Sequence, residues 1–395
     1  MARIVEAIGR YRGGELSCIE AAEVLGMSER HFRRLRDRYE AQGAEGIVDR
    51  RLGKASARRV PVDRIDWVVE MYRTRYFDFT VKHYHEHLVR DHRFELSYTW
   101  LKTTLQARRV VEPAPRRSAH RKKRPRRPLP GMLLFQDGST HRWLVGLDGD
   151  LDLIATLDDA TGAICSAFLV EEEGTMSSFR GLHETIIGHG LFSSLYTDRG
   201  SHYFHTPKAG GKVDKGRPTQ VGRALAQLGI QHIPSYSPEA RGRMERLFGT
   251  LQGRWPQELR LAGIDDIETA NRYIRDVLIP RHNARFAVPA AEEGSAFVPY
   301  VGRDLADILC VQEERTVGKD NCVLYKRLSL QIPPDRHRHH YVKTKVRVHE
   351  YPDASLAVFH GPRRLARYAP DGTPIAEEPD RTKKCSAAST ASTRA

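Results

Sequence analysis

Through the front of the chain, apolar residues recur at helical spacing; from residue 131 they fall instead into short runs broken by turn residues. In SCIEAAEVLGMSERHFRRLRDRYEAQ, residues 17–42, Phe32, Leu35 and Tyr39 form one stripe at i, i+3 and i+7. Ser17 with Glu20 has the spacing of a capping box, Gly26 marks a short turn, and Ser28 can cap the helix that follows. Ala21 and Ala22 are small enough for a close helix crossing. This pattern predicts a helix-turn-helix with residues 28–41 as recognition helix. Arg30, Arg33, Arg34 and Arg36 fall largely off the apolar stripe, where they are placed to meet DNA. The bland alternative is a basic, solvated helical hairpin.

A second helical segment follows. Ile65, Val68, Val69 and Tyr72 mark one helix, Val81, Tyr84 and Leu88 another, and SYTWLKTTLQARR a third, capped by Ser97, with Trp100, Leu101 and Leu105 facing a core. Lys102, Arg108 and Arg109 are left for phosphates, and the segment reads as a second helix-turn-helix with a weaker turn. Residues 113–130, PAPRRSAHRKKRPRRPLP, carry eight Arg or Lys (Arg116, Arg117, Arg121, Lys122, Lys123, Arg124, Arg126 and Arg127), five Pro and no acid. Such a stretch builds no apolar core, and it is expected to be a linker whose phosphate contacts release counterions.

Beyond it, MLLFQ, HRWLVGLD, LDLIATLDD and AICSAFLV, with a turn at Asp159–Gly162, predict three adjacent antiparallel strands. Residues 175–188 read as a helix, SSLYTD as a short buried strand, GRPTQVGRALAQLG as an amphipathic helix, QHI as a further strand, and the stretch from Pro238 through Glu245 to Leu251 as a helix. The expectation is an α/β domain with a mixed sheet.

Composition sharpens the picture. Lys and Arg total 64 against 50 Asp and Glu among 395 residues, a net charge of +14 that favours a polyanionic partner. The five scattered cysteines form no close pair, so neither a cysteine zinc framework nor a disulfide scaffold is indicated. No signal peptide or membrane span is expected, and a cytoplasmic, nucleoid-associated protein without membrane partners is the simplest reading. Asp137 after GMLLFQ, Asp198 after SLYT and Glu245 in SPEARGRMERLFGTLQ are candidate metal-binding carboxylates. Two strand-end aspartates and a helical glutamate can converge on hard cations suited to phosphoryl transfer. Glu239 is the rival to Glu245, while Asp158 and Asp159 lie beside a strand and a Gly turn, where Asp159 reads as a turn former and neither as a metal ligand. Arg241, Arg243 and Arg246 are candidates for holding the DNA backbone, and Gly200 for permitting a tight bend. His141, His202 and His232 read as ordinary polar or packing residues.

The segments LLFQDGSTHRWLVG, LDDATGA, LYTDRGSHY, TQVGRALAQLGIQHIPSYSPEARGRMERLFGTLQGRW and ELRLAGI resemble a bacterial DDE-type insertion-sequence transposase of the ISNCY kind, with a retroviral-integrase-like core. The similarity extends through the helix-turn-helix region and the RFAVPA stretch; the polar loop HTPKAGGKVDKG departs from the simplest pattern. The resemblance implies an RNase H-like fold and a catalytic Asp, Asp, Glu set matched by Asp137, Asp198 and Glu245. It further implies Mg²⁺, replaceable by Mn²⁺ and held as two ions, and as partners double-stranded DNA at element ends and target DNA, bound by a homo-oligomer on paired ends.

In the last part, VLYKRLSLQI, YVKTKVRVHEY and SLAVFH have strand character, and Lys343, Lys345 and Arg347 alternate with Val342, Thr344, Val346 and Val348 to give a basic face. A small β-barrel-like domain tracking DNA is expected. The chain is thus read as multidomain: 1–60 helix-turn-helix, 61–112 second helical domain, 113–130 linker, 131–295 RNase H-like catalytic domain, 296–370 β-rich domain and 371–395 tail. The competing functions are a DNA-binding regulator or architectural protein with a non-catalytic core, and a nuclease without strand transfer.

Overall fold

The computed structural model describes residues 1–49, 59–113, 124–208, 211–214, 216–236, 242–302, 304–334 and 338–375. The predicted DNA contacts Arg116, Arg117, Arg121, Lys122, Lys123 and Arg241, the rival Glu239 and most of the tail lie outside them. The chain divides into two compact units, Met1–Arg75 and Tyr76–Ala395, so the division falls inside the predicted second helical segment.

In the first unit, α1 (Ala2–Arg12), α2 (Cys18–Val24) and α3 (Glu29–Gln42) share a core of Ala7, Ile8, Ala21, Ala22, Phe32, Leu35 and Ile47. The capping box closes in both directions: the Glu20 N–H donates to Ser17 Oγ at 3.2 Å, and the Ser17 N–H to Glu20 Oε2 at 2.7 Å. Gly26, at φ +65°, makes the turn that a side chain would strain. A tight 3₁₀ turn, Gly43–Ile47, then folds back on α3 and delivers Ile47 to the core. A Cβ at Gly46 would press into the Arg38 carbonyl. Gly46→Ala is therefore expected to destabilise this unit by about 1–3 kcal/mol. Thermal unfolding followed by circular dichroism checks it, and an unchanged midpoint would show that the turn has room to shift. The unit ends with α4 (Val62–Thr74).

The second unit opens with α5 (Val81–His92) and α6 (Tyr98–Ala107), capped by Thr80 and Ser97. Its main sheet contains β1 (Leu134–His141), β2 (Leu151–Asp158), β3 (Ile164–Val170), β4 (Ser194–Thr197) and β5 (Gln231–Pro234) in the order β3-β2-β1-β4-β5. The first three strands are antiparallel, and β4 and β5 run parallel to β1. This is the mixed sheet that was expected. Successive residues of β1 serve opposite faces: Phe135 joins a core with α9 (Gly242–Gln252), α10 (Trp255–Leu261) and α11 (Ile267–Tyr273), whereas Leu134 joins one with α7 (Thr175–His189) and α8 (Gln220–Gln227). The final core helix, α12, spans Ile279–Phe286.

Two expectations change here. HRWLVGLD is not a strand, because β1 runs through to His141 and Trp143 then folds into the core beneath a turn. Asp137 consequently lies inside a strand rather than at its end. The C-terminal β region is not a closed barrel among the described residues. β6 (Val311–Thr316), β9 (Lys345–Glu350), β10 (Leu356–His360), β11 (Arg363–Tyr368) and β12 (Pro374–Ile375) form an open antiparallel sheet, ordered β12-β11-β10-β9-β6. β7 (Cys322–Tyr325) and β8 (Leu328–Gln331) make a separate hairpin, and both elements share one core.

Candidate functional site

Parallel pairing of β1 and β4 sets the geometry. Leu134 stands opposite Leu195 and Phe135 opposite Tyr196. Continued at the same register, that pairing puts Asp137 opposite Asp198, just past the end of β4. Neighbouring strands lie about 4.8 Å apart, so two carboxylates far apart in sequence become neighbours. Asp137 is 8 % exposed. Asp198 Oδ1 accepts from the Gly200 N–H at 2.8 Å. A Cβ on Gly200 would come 3.0 Å from both that oxygen and the His202 ring, so the glycine supplies room rather than a left-handed bend.

Behind the pair, Gln136 donates to Thr156 Oγ1 and the Ser178 carbonyl, each at 3.3 Å, and accepts from the Tyr203 hydroxyl at 3.2 Å. Burial, reinforced by the negative field of Glu173, Asp137 and Asp198, pushes the Tyr203 phenol well above its usual pKa. Tyr203 is thus a neutral donor beneath three carboxylates. Glu173 was not foreseen. It lies against Gly138, where a Cβ would collide with its carboxylate, and 3.5 Å from His202 Nε2. One of three consecutive glutamates, it had no sequence signal beyond the glycine that follows Asp137.

Glu245 is exposed on α9. That helix runs along β1. At its start Arg243 bonds Asp159, whose N–H donates to the Leu133 carbonyl at 2.9 Å; at its end Gln252 donates to Ser139 Oγ at 3.0 Å. Asp137 lies between these two ties. The three predicted carboxylates do not all come within 4.8 Å of one another. A site with two ions spaced about 3.5–4 Å apart is wider than that. Its all-oxygen donors are the set magnesium prefers, so the residues fit such ions.

Several predicted DNA contacts serve the protein itself. Asp159 is fully buried, and Arg124 and Arg243 close on its carboxylate while Arg126 bonds its carbonyl at 2.9 Å. A buried charge must be paired, and Arg124 and Arg243 supply its counter-charges. The Arg127 N–H also donates to Asp159, at 2.7 Å. Asp158 accepts from Gly131 and Thr161, so it, rather than Asp159 as expected, is the turn former, and both aspartates are structural. Arg36 packs over the Tyr11 ring and donates to its hydroxyl at 3.0 Å. Arg33 pairs with Glu29, whereas Arg30 and Arg34 are exposed on α3. Lys102 is half-buried on α6, and Arg108 and Arg109 are exposed at its end. Arg246 is exposed and bonds the Gly242 carbonyl of its own helix. Lys343 is exposed, Lys345 pairs with Glu314, and Arg347 donates to the Gly361 carbonyl at 3.1 Å, so β6 and its neighbours partly neutralise the basic face.

The histidines behave as packing residues. His232 stacks on Phe204 and bonds Thr197, and burial lowers its pKa to about 4; His141 meets Trp143 edge-on. The polar loop is anchored where it is described: Arg199 donates to the Gly211 carbonyl at 2.7 Å, and the Asp214 N–H to that of His205 at 2.9 Å.

Comparison with known proteins completes the picture. Residues 5–55 match the family described as helix-turn-helix domain. Over 356 residues the chain is 31% identical to "Putative transposase y4bF" of Sinorhizobium fredii (strain NBRC 101917 / NGR234), which spans 90% of this chain and 77% of that protein. Over 292 residues it is 25% identical to "Transposase for insertion sequence IS1202" of Streptococcus pneumoniae, covering 65% of this chain and 62% of that one. Among solved structures, the HTLV-2 integrase catalytic core domain in complex with magnesium is 15% identical, with a TM-score of 0.29 over 38% of this chain and 89% of that one. A chain of the simian T-cell lymphotropic virus intasome in complex with PP2A regulatory subunit B56 gamma is 13% identical, with a TM-score of 0.34 over 80% of this chain and 100% of that one. No helix among the described residues is long and apolar enough to cross a membrane. On the strength of the Sinorhizobium relative, the chain belongs to the transposases.

Proposed function

We propose that the protein binds the ends of an insertion element through its helix-turn-helix, cleaves the DNA strands and joins them to target DNA. Asp137, Asp198 and Glu245 are the carboxylates of one active site that holds Mg²⁺, or Mn²⁺ in its place. What supports this reading is the β1–β4 register, which, continued two residues beyond Phe135 and Tyr196, brings Asp137 opposite Asp198. A bound pair of such ions would activate the attacking hydroxyl and neutralise charge at the leaving oxygen. The chain's own groups prepare that place. Gln136 and Tyr203 fix the strand beneath Asp137, the Gly200 N–H orients Asp198, and α9 carries Glu245 along the same strand. No side-chain nucleophile is required: water attacks for cleavage and a DNA 3′-hydroxyl for joining.

The test is direct. Purified protein, candidate element ends, target DNA and Mg²⁺ should yield both cleaved and joined products, and chelation should remove both. Cleavage without joining would reduce the protein to a nuclease. Binding without cleavage would make it a regulator. Joining paired ends calls for at least a dimer.

End recognition is expected to rest on α3, with Lys102, Arg108, Arg109 and the basic linker adding phosphate contacts. Arg34 is exposed on α3. Arg34→Ala is expected to cost about 1–3 kcal/mol of discrimination between element ends and random DNA, the range for loss of a base contact. Competition titrations at fixed salt measure it. Equal weakening on both DNAs would make Arg34 a phosphate contact.

A further inference from the structure

A second cluster of chemistry-bearing side chains lies where α5 meets α10. His83 and His87 are four residues apart on α5 and leave the same face of the helix one turn apart. Each directs Nε2 at a single oxygen, Glu258 Oε1, at 2.8 Å. The three ligand atoms all lie within 4.8 Å of one another, and among the described residues no other group of three does so. Both histidines are 2 % exposed. Phe79 stacks on the His83 ring at 4.3 Å, and Tyr76 lies 5.5 Å from that of His87, so packing sets both rings.

Burial pushes His83 below its ordinary pKa. Burial opposes ionisation of Glu258, yet the hydrogen bonds from His83 and His87 hold it well below the usual carboxylate range. Asp91 Oδ2 lies 2.9 Å from His87 Nδ1, the arrangement of an outer carboxylate that steadies a metal-bound imidazole. Of the nearby cations, Arg254 and Arg285 pair with Glu86 and Arg90 with Asp91, while Arg281 lies 3.8 Å from Glu258 Oε2, the oxygen that the histidines do not share. A cavity of about 670 Å³ opens beside the cluster and leaves access for solvent.

We propose that His83, His87 and Glu258 form a zinc site that staples α5 to α10, with water as fourth ligand. Two imidazoles and one carboxylate are a donor set zinc accepts, whereas magnesium prefers oxygen alone, so this site and the acidic one select different ions. To bind, each ring would give up its Nε2 hydrogen bond to Glu258, turn the Nε2 lone pair to the metal and carry its one ring proton on Nδ1. His87 Nδ1–H then donates to Asp91, and Arg90, now 2.9 Å from that nitrogen, keeps its own bonds to Asp91. His83 Nδ1 has no hydrogen-bond partner, so the shift breaks no bond there.

The test counts metal and needs no DNA chemistry. The full chain and an Asp137→Asn, Asp198→Asn variant are stripped with chelator, refilled with Zn²⁺, desalted and analysed by mass spectrometry for the metal. Both are expected to retain a single zinc ion per chain, because the site is independent of the acidic pair. His87→Ala should lose it. Glu258→Gln, which keeps the size and the acceptor oxygen, should lose most of it while circular dichroism remains native. Asp91→Asn should weaken zinc affinity by roughly 10- to 100-fold. Co²⁺ should give the visible absorption of a low-coordinate site and be displaced by zinc. A full chain that retains no zinc overturns the proposal and leaves a hydrogen-bonded clamp. Equal zinc retention in folded Glu258→Gln and His87→Ala overturns it as well.

Discussion

Asp137→Asn and Asp198→Asn should each lower DNA cleavage and joining by about 10³-fold or more, the scale of losing a group aimed at charge that develops during reaction. The expectation follows from where the strands put these residues. Asparagine keeps the size and one acceptor oxygen, so the packing of Asp137 and the Gly200 bond to Asp198 survive, while the anionic ligand is gone. The two variants should therefore unfold at the midpoint of the unaltered chain and bind element ends equally well. Glu245→Gln should follow the same pattern, and because Glu245 is exposed its effect on folding should be smaller still. Cleavage and joining, measured in parallel with binding on the same DNA, separate the two roles. A folded triple variant with undiminished Mg²⁺-dependent products would place the chemistry elsewhere in the chain.

What could be read from the sequence was set by how locally each feature is made. The capping box at Ser17 and Glu20, the turn at Gly26 and the Phe32–Leu35–Tyr39 stripe are interactions within one or two helical turns, and each is present as expected. The turn before Gly162 was recognisable for the same reason, although Asp158 and not Asp159 bonds its donors. Other features depend on partners distant in sequence. Nothing in a basic, proline-rich stretch marks the Arg124 side chain for the Asp159 carboxylate and that of Arg126 for its carbonyl, or Arg243, 84 residues away, for both. His83 and His87 meet Glu258 only because the core brings α10 to α5. The extent of β1 was missed because GSTH lacks the apolar alternation of a strand; its pairing with β2 extends it to His141. The open C-terminal sheet turns on a similar point. Alternation predicts a half-buried strand but is silent on whether the edges of a sheet meet.

Asp159→Ala should be the most destabilising single change in the catalytic core, by about 3–5 kcal/mol. The carboxylate is fully buried and takes hydrogen bonds from Arg124, Arg243 and the Arg127 N–H. Removing it leaves the Arg243 guanidinium, only 13 % exposed, without its counter-charge. An uncompensated buried charge costs more than the lost attraction alone, because the cation is left with little solvent and only the neutral Asp159 and Arg124 carbonyls. With urea slopes of about 1–3 kcal/mol/M, the midpoint should fall by roughly 1–3 M, read from the fluorescence of the buried Trp143 and Trp255. Arg243→Met in the same background should restore part of the loss, since an apolar stem of similar length suits the site once the acid is absent. The pair also links stability to chemistry. Arg243 is the second residue of α9, two positions before Glu245, and Asp159 holds that end of the helix against the start of β1. Asp159→Asn, which keeps the shape but weakens the hold on Arg243, should therefore lower cleavage and joining more than its loss of stability at the assay temperature explains. If activity stayed in proportion to the folded fraction, Asp159 would be a buried anchor with no part in positioning Glu245.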